Sequence, residues 1–259
     1  MQLASTRVSA KAVVLTLALS AAFTFFSNAA YAQQAGDLIV SAGVSHEYMH
    51  ASLGPLTSTG SNAAEAAGIN AINNTLGTTT ADVQNVSPLK LTVLKMINDN
   101  LGIEAVVGIP PKVNLGLNIP GAGPAYHNAV PTSYPQGASA VAWTPSLLAK
   151  YFFNSANDSI RPYLGVGINY TWFTRVEVEN AALLQGFAGD GAKLSSSWNP
   201  VAIAGAVYNV DKKWSIGASL SYLPLKTTAS FVSGSGATTT SGNLDLKPAV
   251  LTVYAGMKF

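Results

Sequence analysis

The 259-residue chain has no cysteine, and only 10% of its residues are charged. The missing thiols exclude cysteine nucleophiles, cysteine-ligated zinc and a disulfide framework. The shortage of charge excludes more. A soluble domain carries about a quarter charged residues, so this chain has too few to cover a water-facing surface. Beyond its N-terminus it also lacks any apolar run of the ~20 residues that a spanning helix needs. The one apolar stretch, 12–26, follows Arg7 and Lys11 and precedes Ala30-Tyr31-Ala32, a small-x-small cleavage pattern. Residues 1–32 therefore read as a cleaved secretory signal and 33–259 as the mature domain. The signal takes both excess cations with it, leaving 12 basic against 12 acidic residues. Nothing in that balance asks for nucleic acid.

Inside lipid only helices and closed barrels satisfy the backbone. An exported, charge-poor chain without spanning helices is thus expected to be all-β: an eight-stranded antiparallel transmembrane β-barrel with four longer extracellular loops, placed in the bacterial outer membrane. Alternation supports this, because barrel strands send successive residues to lipid and to lumen. Eight such segments occur, at 38–45, 89–96, 101–109, 146–153, 160–173, 197–210, 214–226 and 246–259. In the last, Leu251, Val253, Ala255, Met257 and Phe259 oppose Thr252, Tyr254, Gly256 and Lys258. Short connections near 98–100, 154–159 and 211–213 alternate with long ones near 46–86, 113–143, 176–195 and 232–243. Short periplasmic turns and long outer loops are the barrel pattern. A soluble sandwich would need a polar outward face, and these faces are Leu, Val, Ile, Ala and aromatic. Tyr151, Phe153, Tyr208, Trp214 and Phe259 sort to one end of the strands and Tyr170, Trp172 and Tyr222 to the other, as interfacial girdles do.

Four stretches carry a resemblance to a known family. They are Leu91-Thr92-Val93 through Asp99-Asn100-Leu101-Gly102-Ile103-Glu104, then Arg161-Pro162-Tyr163-Leu164-Gly165-Val166-Gly167-Ile168-Asn169-Tyr170, then Ser197-Trp198, and the ending Tyr254-Ala255-Gly256-Met257-Lys258-Phe259. In this order they resemble the OmpW family of small outer-membrane proteins. Val107-Gly108-Ile109-Pro110-Pro111-Lys112 and Tyr222-Leu223-Pro224-Leu225-Lys226-Thr227 look like its AlkL-type branch. The resemblance implies a narrow hydrophobic lumen closed toward the periplasm, with apolar solutes leaving sideways into the bilayer. The partners implied are outer-membrane lipid, small hydrophobic solutes and the barrel-assembly machinery, the last through the terminal Phe259. No cofactor is implied. The first two long loops match nothing in the family, and a short helix near 62–73 is an expectation of composition alone.

Among the candidate constellations, His46-Glu47-Tyr48-Met49-His50 spells the zinc-protease motif H-E-x-x-H, which needs a helix to bring both imidazoles to one ion. On a strand, residues four apart stand roughly 13 Å from each other at ~3.3 Å per residue. Glu65 and His127 are the remaining candidate ligands, and neither has a motif spacing. No metal site or catalytic residue is assigned. A lipid-acting enzyme using His46 or His50 with Glu47 is one alternative, and a surface-binding barrel acting through its loops is another.

The alternation sends Leu94, Met96, Leu148, Phe152, Val201, Ile203, Val207 and Leu223 into the lumen, which is expected to be largely apolar. It also turns Glu104, Lys150 and Arg161 inward, and these are expected to form one charged cluster across the periplasmic floor. Lys95 and Lys258 sit near periplasmic ends, where they can snorkel to water. Proline gives no ladder N–H, and Pro110, Pro111, Pro145, Pro200, Pro224 and Pro248 lie toward outer strand ends. Pro110 and Pro111 with the facing strand are the expected lateral window.

Overall fold

The computed structural model describes residues 33–54, 57–60, 80–118, 133–179, 191–233 and 238–259. The expected signal segment and the expected helix near 62–73 lie outside them. Sixteen strands run through the described residues, and none of these residues is helical. Eight strands close the barrel: β1 (Leu38–Tyr48), β5 (Leu89–Met96), β6 (Leu101–Gly108), β9 (Ser146–Phe152), β10 (Ile160–Val178), β12 (Ser197–Asn209), β13 (Trp214–Tyr222) and β16 (Ala249–Lys258). Each pairs antiparallel with the next, and β1 pairs with β16 to seal the cylinder.

Register follows the pleat. Val44, Leu91, Val107, Leu147, Val166, Leu220 and Val253 all face outward, with Val166 67% and Val253 61% exposed. Such apolar exposure is stable only against hydrocarbon. Three periplasmic turns fix the strand pairs through side chains that replace missing backbone partners. Asn98 Oδ1 accepts from the amides of Asn100 and Leu101, Asp158 Oδ2 from Ser155, and Asp211 Oδ1 from Lys213 and Trp214. Lys95 faces outward and reaches back to the Gly36 carbonyl, while Lys258 pairs with Asp37 at 3.2 Å.

Outside the membrane the chain departs from expectation. Most described residues of the long connections are in strands and extend the wall beyond the barrel. β4 (Thr80–Val83), β7 (Lys112–Asn118) and β8 (Ser133–Trp143) continue onto the outer half of β10 as one sheet. β2 (Ala51–Leu53), β3 (Thr57–Gly60), β11 (Gly191–Leu194), β14 (Leu225–Ser233) and β15 (Thr238–Leu246) form a second. The two pack face to face on Ala81, Val83, Leu225, Leu244 and Leu246, with Val113, Leu115 and Phe173 against them. Prolines mark where barrel becomes outer sheet. The expected strand at 214–226 breaks at Leu223-Pro224, the one at 246–259 at Lys247-Pro248, and the third strand stops at Gly108 before Pro110-Pro111. Each break falls where a missing N–H would cost a ladder bond.

Candidate functional site

The lumen is layered, and the layers begin at the periplasmic end. Arg161 on β10 is fully buried, and its guanidinium makes no salt bridge among the described residues, although Asp99 and Asp158 of the neighbouring turns lie within electrostatic reach. It donates instead to the carbonyls of Gln33 (2.8 Å), Phe153 (3.4 Å) and Asp99, tying the N-terminal segment to two turns. Above it lies an apolar plug of Ile39, Leu94, Met96, Phe152, Tyr163 and Val207, with Ile203 against it. The Phe152 and Tyr163 rings are 5.2 Å apart. Glycines make room for the inward tyrosines: a Cβ at Gly205 would sit 2.6 Å from the Tyr163 ring, and one at Gly217 2.3 Å from that of Tyr254.

On the outer side of the plug Lys150 Nζ meets Glu104 Oε1 at 2.6 Å, with the two side chains 3% and 7% exposed. Cations therefore bracket the aromatic plug. The Lys150 ammonium lies 4.5 Å from the Tyr163 ring centre and the Arg161 guanidinium 5.3 Å from that of Phe152. The expected single cluster of Glu104, Lys150 and Arg161 is thus two sites. Glu104 pairs with Lys150 alone, because the plug separates Arg161 from both. Alternation fixes which face a residue takes and leaves its height open.

Outward of the ion pair a cavity of about 110 Å³ opens. The wall is polar where Ser41, Thr92, Ser219, Thr252 and Tyr254 face it, and a second ion pair, Glu47 to Lys90 at 3.1 Å, stands in it. It turns apolar farther out, at Val113, Phe173, Leu223, Leu225 and Leu246. The interior as a whole is mostly apolar, as expected, and these hydroxyls and ion pairs interrupt it. All eight expected lumen residues do point inward: Leu94, Met96, Phe152 and Val207 fill the plug, whereas Leu148, Val201, Ile203 and Leu223 line the cavity.

One seam in the wall lacks ladder hydrogen bonds among the described residues. The ladder between β5 and β6 ends where the Ile109 amide donates to Leu89 at 2.9 Å, and pairing resumes where Gln84 donates to Asn114 at 3.1 Å. Between these points residues 85–88 turn to β1, through Ser45 to Pro88 and Glu47 to Val86, while Pro111 accepts from Ala142 on β8. Among the described residues no backbone hydrogen bond joins 85–88 to 110–113. A side concavity of about 410 Å³ lies there, lined by Val86, Pro88, Ile109, Pro110 and Pro111, and Pro111 also lines the central cavity. Above the seam Lys112 donates to Glu179 at 2.7 Å, and Ser139 Oγ donates to the same carboxylate. The bond to Glu179 holds Lys112 above its ordinary range, and the bonds from Lys112 and Ser139 hold Glu179 below its own.

The H-E-x-x-H run lies on and just past β1. Glu47 turns into the lumen toward Lys90, while His46 turns outward, 2.8 Å from Ser87 Oγ. Strand geometry therefore splits the motif across two faces, and no group of three metal-ligating side chains occurs among the described residues. Glu65 and His127 lie outside those residues. Of the outer aromatic girdle, sequence reading found Tyr170 and Trp172 but missed two partners. Trp143 stacks on Trp172 at 5.5 Å, and Trp198 lies 4.7 Å from Tyr170. The outward position of Trp198 in the alternation was an available signal, whereas Trp143 ends a stretch that reads as a long connection.

A closed eight-stranded cylinder with an apolar belt, two aromatic girdles and short periplasmic turns defines an outer-membrane β-barrel protein. The comparisons agree. The OmpW family profile matches residues 34–259, and the chain belongs to that family. Outer membrane protein W of Escherichia coli (strain K12) is 28% identical over 245 residues, covering 95% of this chain and 99% of that one. The dibenzothiophene metabolism operon protein PahQ of Pseudomonas aeruginosa is 28% identical over 181 residues, 69% of this chain and 74% of that one. Among solved structures, OprG from Pseudomonas aeruginosa superposes with a TM-score of 0.70 at 24% identity, covering 89% and 99% of the two chains. AlkL in lipid bilayers follows with a TM-score of 0.57 at 16% identity, covering 91% and 95%.

Proposed function

We propose that this barrel is a passive conduit for small hydrophobic molecules, which enter between the outer sheets, occupy the central cavity and leave sideways through the seam at Pro110 and Pro111. The observation that carries the reading is the shared wall: the cavity is stopped below by a packed plug, and Pro111 belongs to both the cavity and the side concavity. A solute in the cavity has a route outward and a route into lipid, and none through the plug. The name of PahQ, a protein of an operon for metabolism of an aromatic thioether, supports a hydrophobic cargo. Phe259, 67% exposed at the end of the last strand, is available as the signal for barrel assembly.

The test is to replace Pro110 and Pro111 by Val, which supplies two N–H donors and a β-branched fit to the ladder. Initial uptake of labelled octane by cells making the variant is expected to fall severalfold, with heat-modifiable gel mobility confirming a folded barrel. Conductance of the native protein in a planar bilayer is expected to be small, since the plug and Arg161 block a straight aqueous path. Undiminished octane uptake by the variant would refute the seam as the exit.

A further inference from the structure

The cavity wall changes character along its length, and that gradient names a solute. In β16 the inward residues run outward as Tyr254, Thr252 and Val250, and in β13 as Ser219 and Ser221, with Leu223 just past its end and Leu225 in β14. Thr92 stands opposite Ser41 on the neighbouring wall. The inner end thus offers hydroxyls and the Glu104–Lys150 pair, and the outer end offers hydrocarbon.

Lys150 carries three N–H donors. One meets Glu104, and the ammonium also rests on the Tyr163 ring. Glu104 accepts from Lys150 alone among the described residues. Both side chains are more than nine-tenths buried and both line the cavity, so they have hydrogen-bonding capacity directed at whatever fills it. A bare hydrocarbon seated there would displace water from these groups and return nothing. A carboxylate or ammonium would add an uncompensated charge, because the two ion pairs in the wall, Glu104–Lys150 and Glu47–Lys90, already sum to zero. A neutral head that both donates and accepts fits.

We propose that the lumen seats a neutral amphiphile of the alcohol class, head inward. Its hydroxyl accepts from Lys150 and donates to Glu104, and its apolar body lies outward against Phe173, Leu225 and Leu246. The proposal rests on the conduit reading for its purpose and on the Glu104–Lys150 seat for its chemistry, so the two can fail separately.

A photoreactive diazirine analogue of octanol, irradiated with the full-length protein in lipid nanodiscs, tests the seat. Labelling is expected on inner lumen residues such as Tyr254 or Glu104, with 1-octanol competing about tenfold better than octane or octanoate. In the double variant Glu104→Gln with Lys150→Met, that preference for octanol over octane is expected to shrink about tenfold. Label confined to lipid-facing residues, or octane competing as well as octanol, overturns the proposal. Cells with and without the protein, given labelled octane and octanol, supply the second readout. Lumen labelling without protein-dependent uptake keeps the seat and rejects the conduit. Protein-dependent uptake without lumen labelling keeps the conduit and rejects the seat.

Discussion

Lys150 and Glu104 sit in the lumen with almost no solvent, and their energetics are asymmetric. Desolvating both charges offsets much of their attraction, whereas removing one leaves the other stranded at a cost of about 3–5 kcal/mol. Lys150→Met alone is therefore expected to lower stability to urea in lipid by about that amount. The double change with Glu104→Gln should recover most of the loss. If the double variant is as unstable as the single one, the pair contributes net stability and the stranded charge is not the main cost. Arg161 behaves differently, since its hydrogen bonds go to three backbone carbonyls. Arg161→Met is expected to loosen the Asn98 and Ser155 turns together, which amide exchange at those turns would register; unchanged exchange would show that the turns hold themselves. Sequence alternation was enough to turn Glu104, Lys150 and Arg161 inward. Their separation by Phe152 and Tyr163 was hidden, because it depends on the stagger between strands.

At the scale of elements, each periplasmic turn has a polar side chain that accepts from its own backbone amides. Asp211 is held below the ordinary carboxylate range by the amides of Lys213 and, next, Trp214. A carboxyl depressed by folding stabilises the folded state above its unfolded pKa, near 3.9, and that contribution is lost as pH falls through the lower folded value. The β12–β13 turn should thus be indifferent to pH between 6 and 8 and loosen only in acid. Asp211→Asn, which keeps an acceptor oxygen but does not titrate, should abolish the acid step in amide exchange at Lys213 and Trp214. An acid step that persists in the variant would assign it to another group. These turns were readable because Asn, Asp and Ser cluster in short gaps between alternating runs. The outer strands were readable in part: in β15, Leu244 and Leu246 alternate with Asn243 and Asp245, as a half-buried strand should. Thr238, Thr239, Thr240 and Ser241 just before them blur that signal, and proline at 248 reads equally as the end of a strand or as a step between two.

For the whole molecule, the proline steps divide one continuous wall into two bodies with different support. The barrel closes on itself, so every spanning strand has two hydrogen-bonded neighbours, and an apolar belt faces lipid. The outer sheets rest on two small buried clusters, Ala81, Val83, Leu225, Leu244 and Leu246 in one and Ala229 and Phe231 in the other, and they lie beyond the apolar belt. Local opening follows such differences in buried contact. Amides of β14 and β15 are therefore expected to exchange about 100-fold faster than those of β13 and β16, although each outer strand continues directly into a barrel strand. Leu244→Asp should widen that gap by separating the sheets while the barrel keeps its heat-modifiable mobility. The same variant bears on function, because Leu225 and Leu246 form both the sandwich core and the outer cavity wall. If solutes enter between the sheets, loosening them should raise entry and weaken retention, so diazirine-octanol labelling of the lumen should fall as octane uptake holds or rises. Equal exchange in all four strands, moving together in the variant, would show that barrel and outer sheets open as one body and that entry is not controlled by the sandwich.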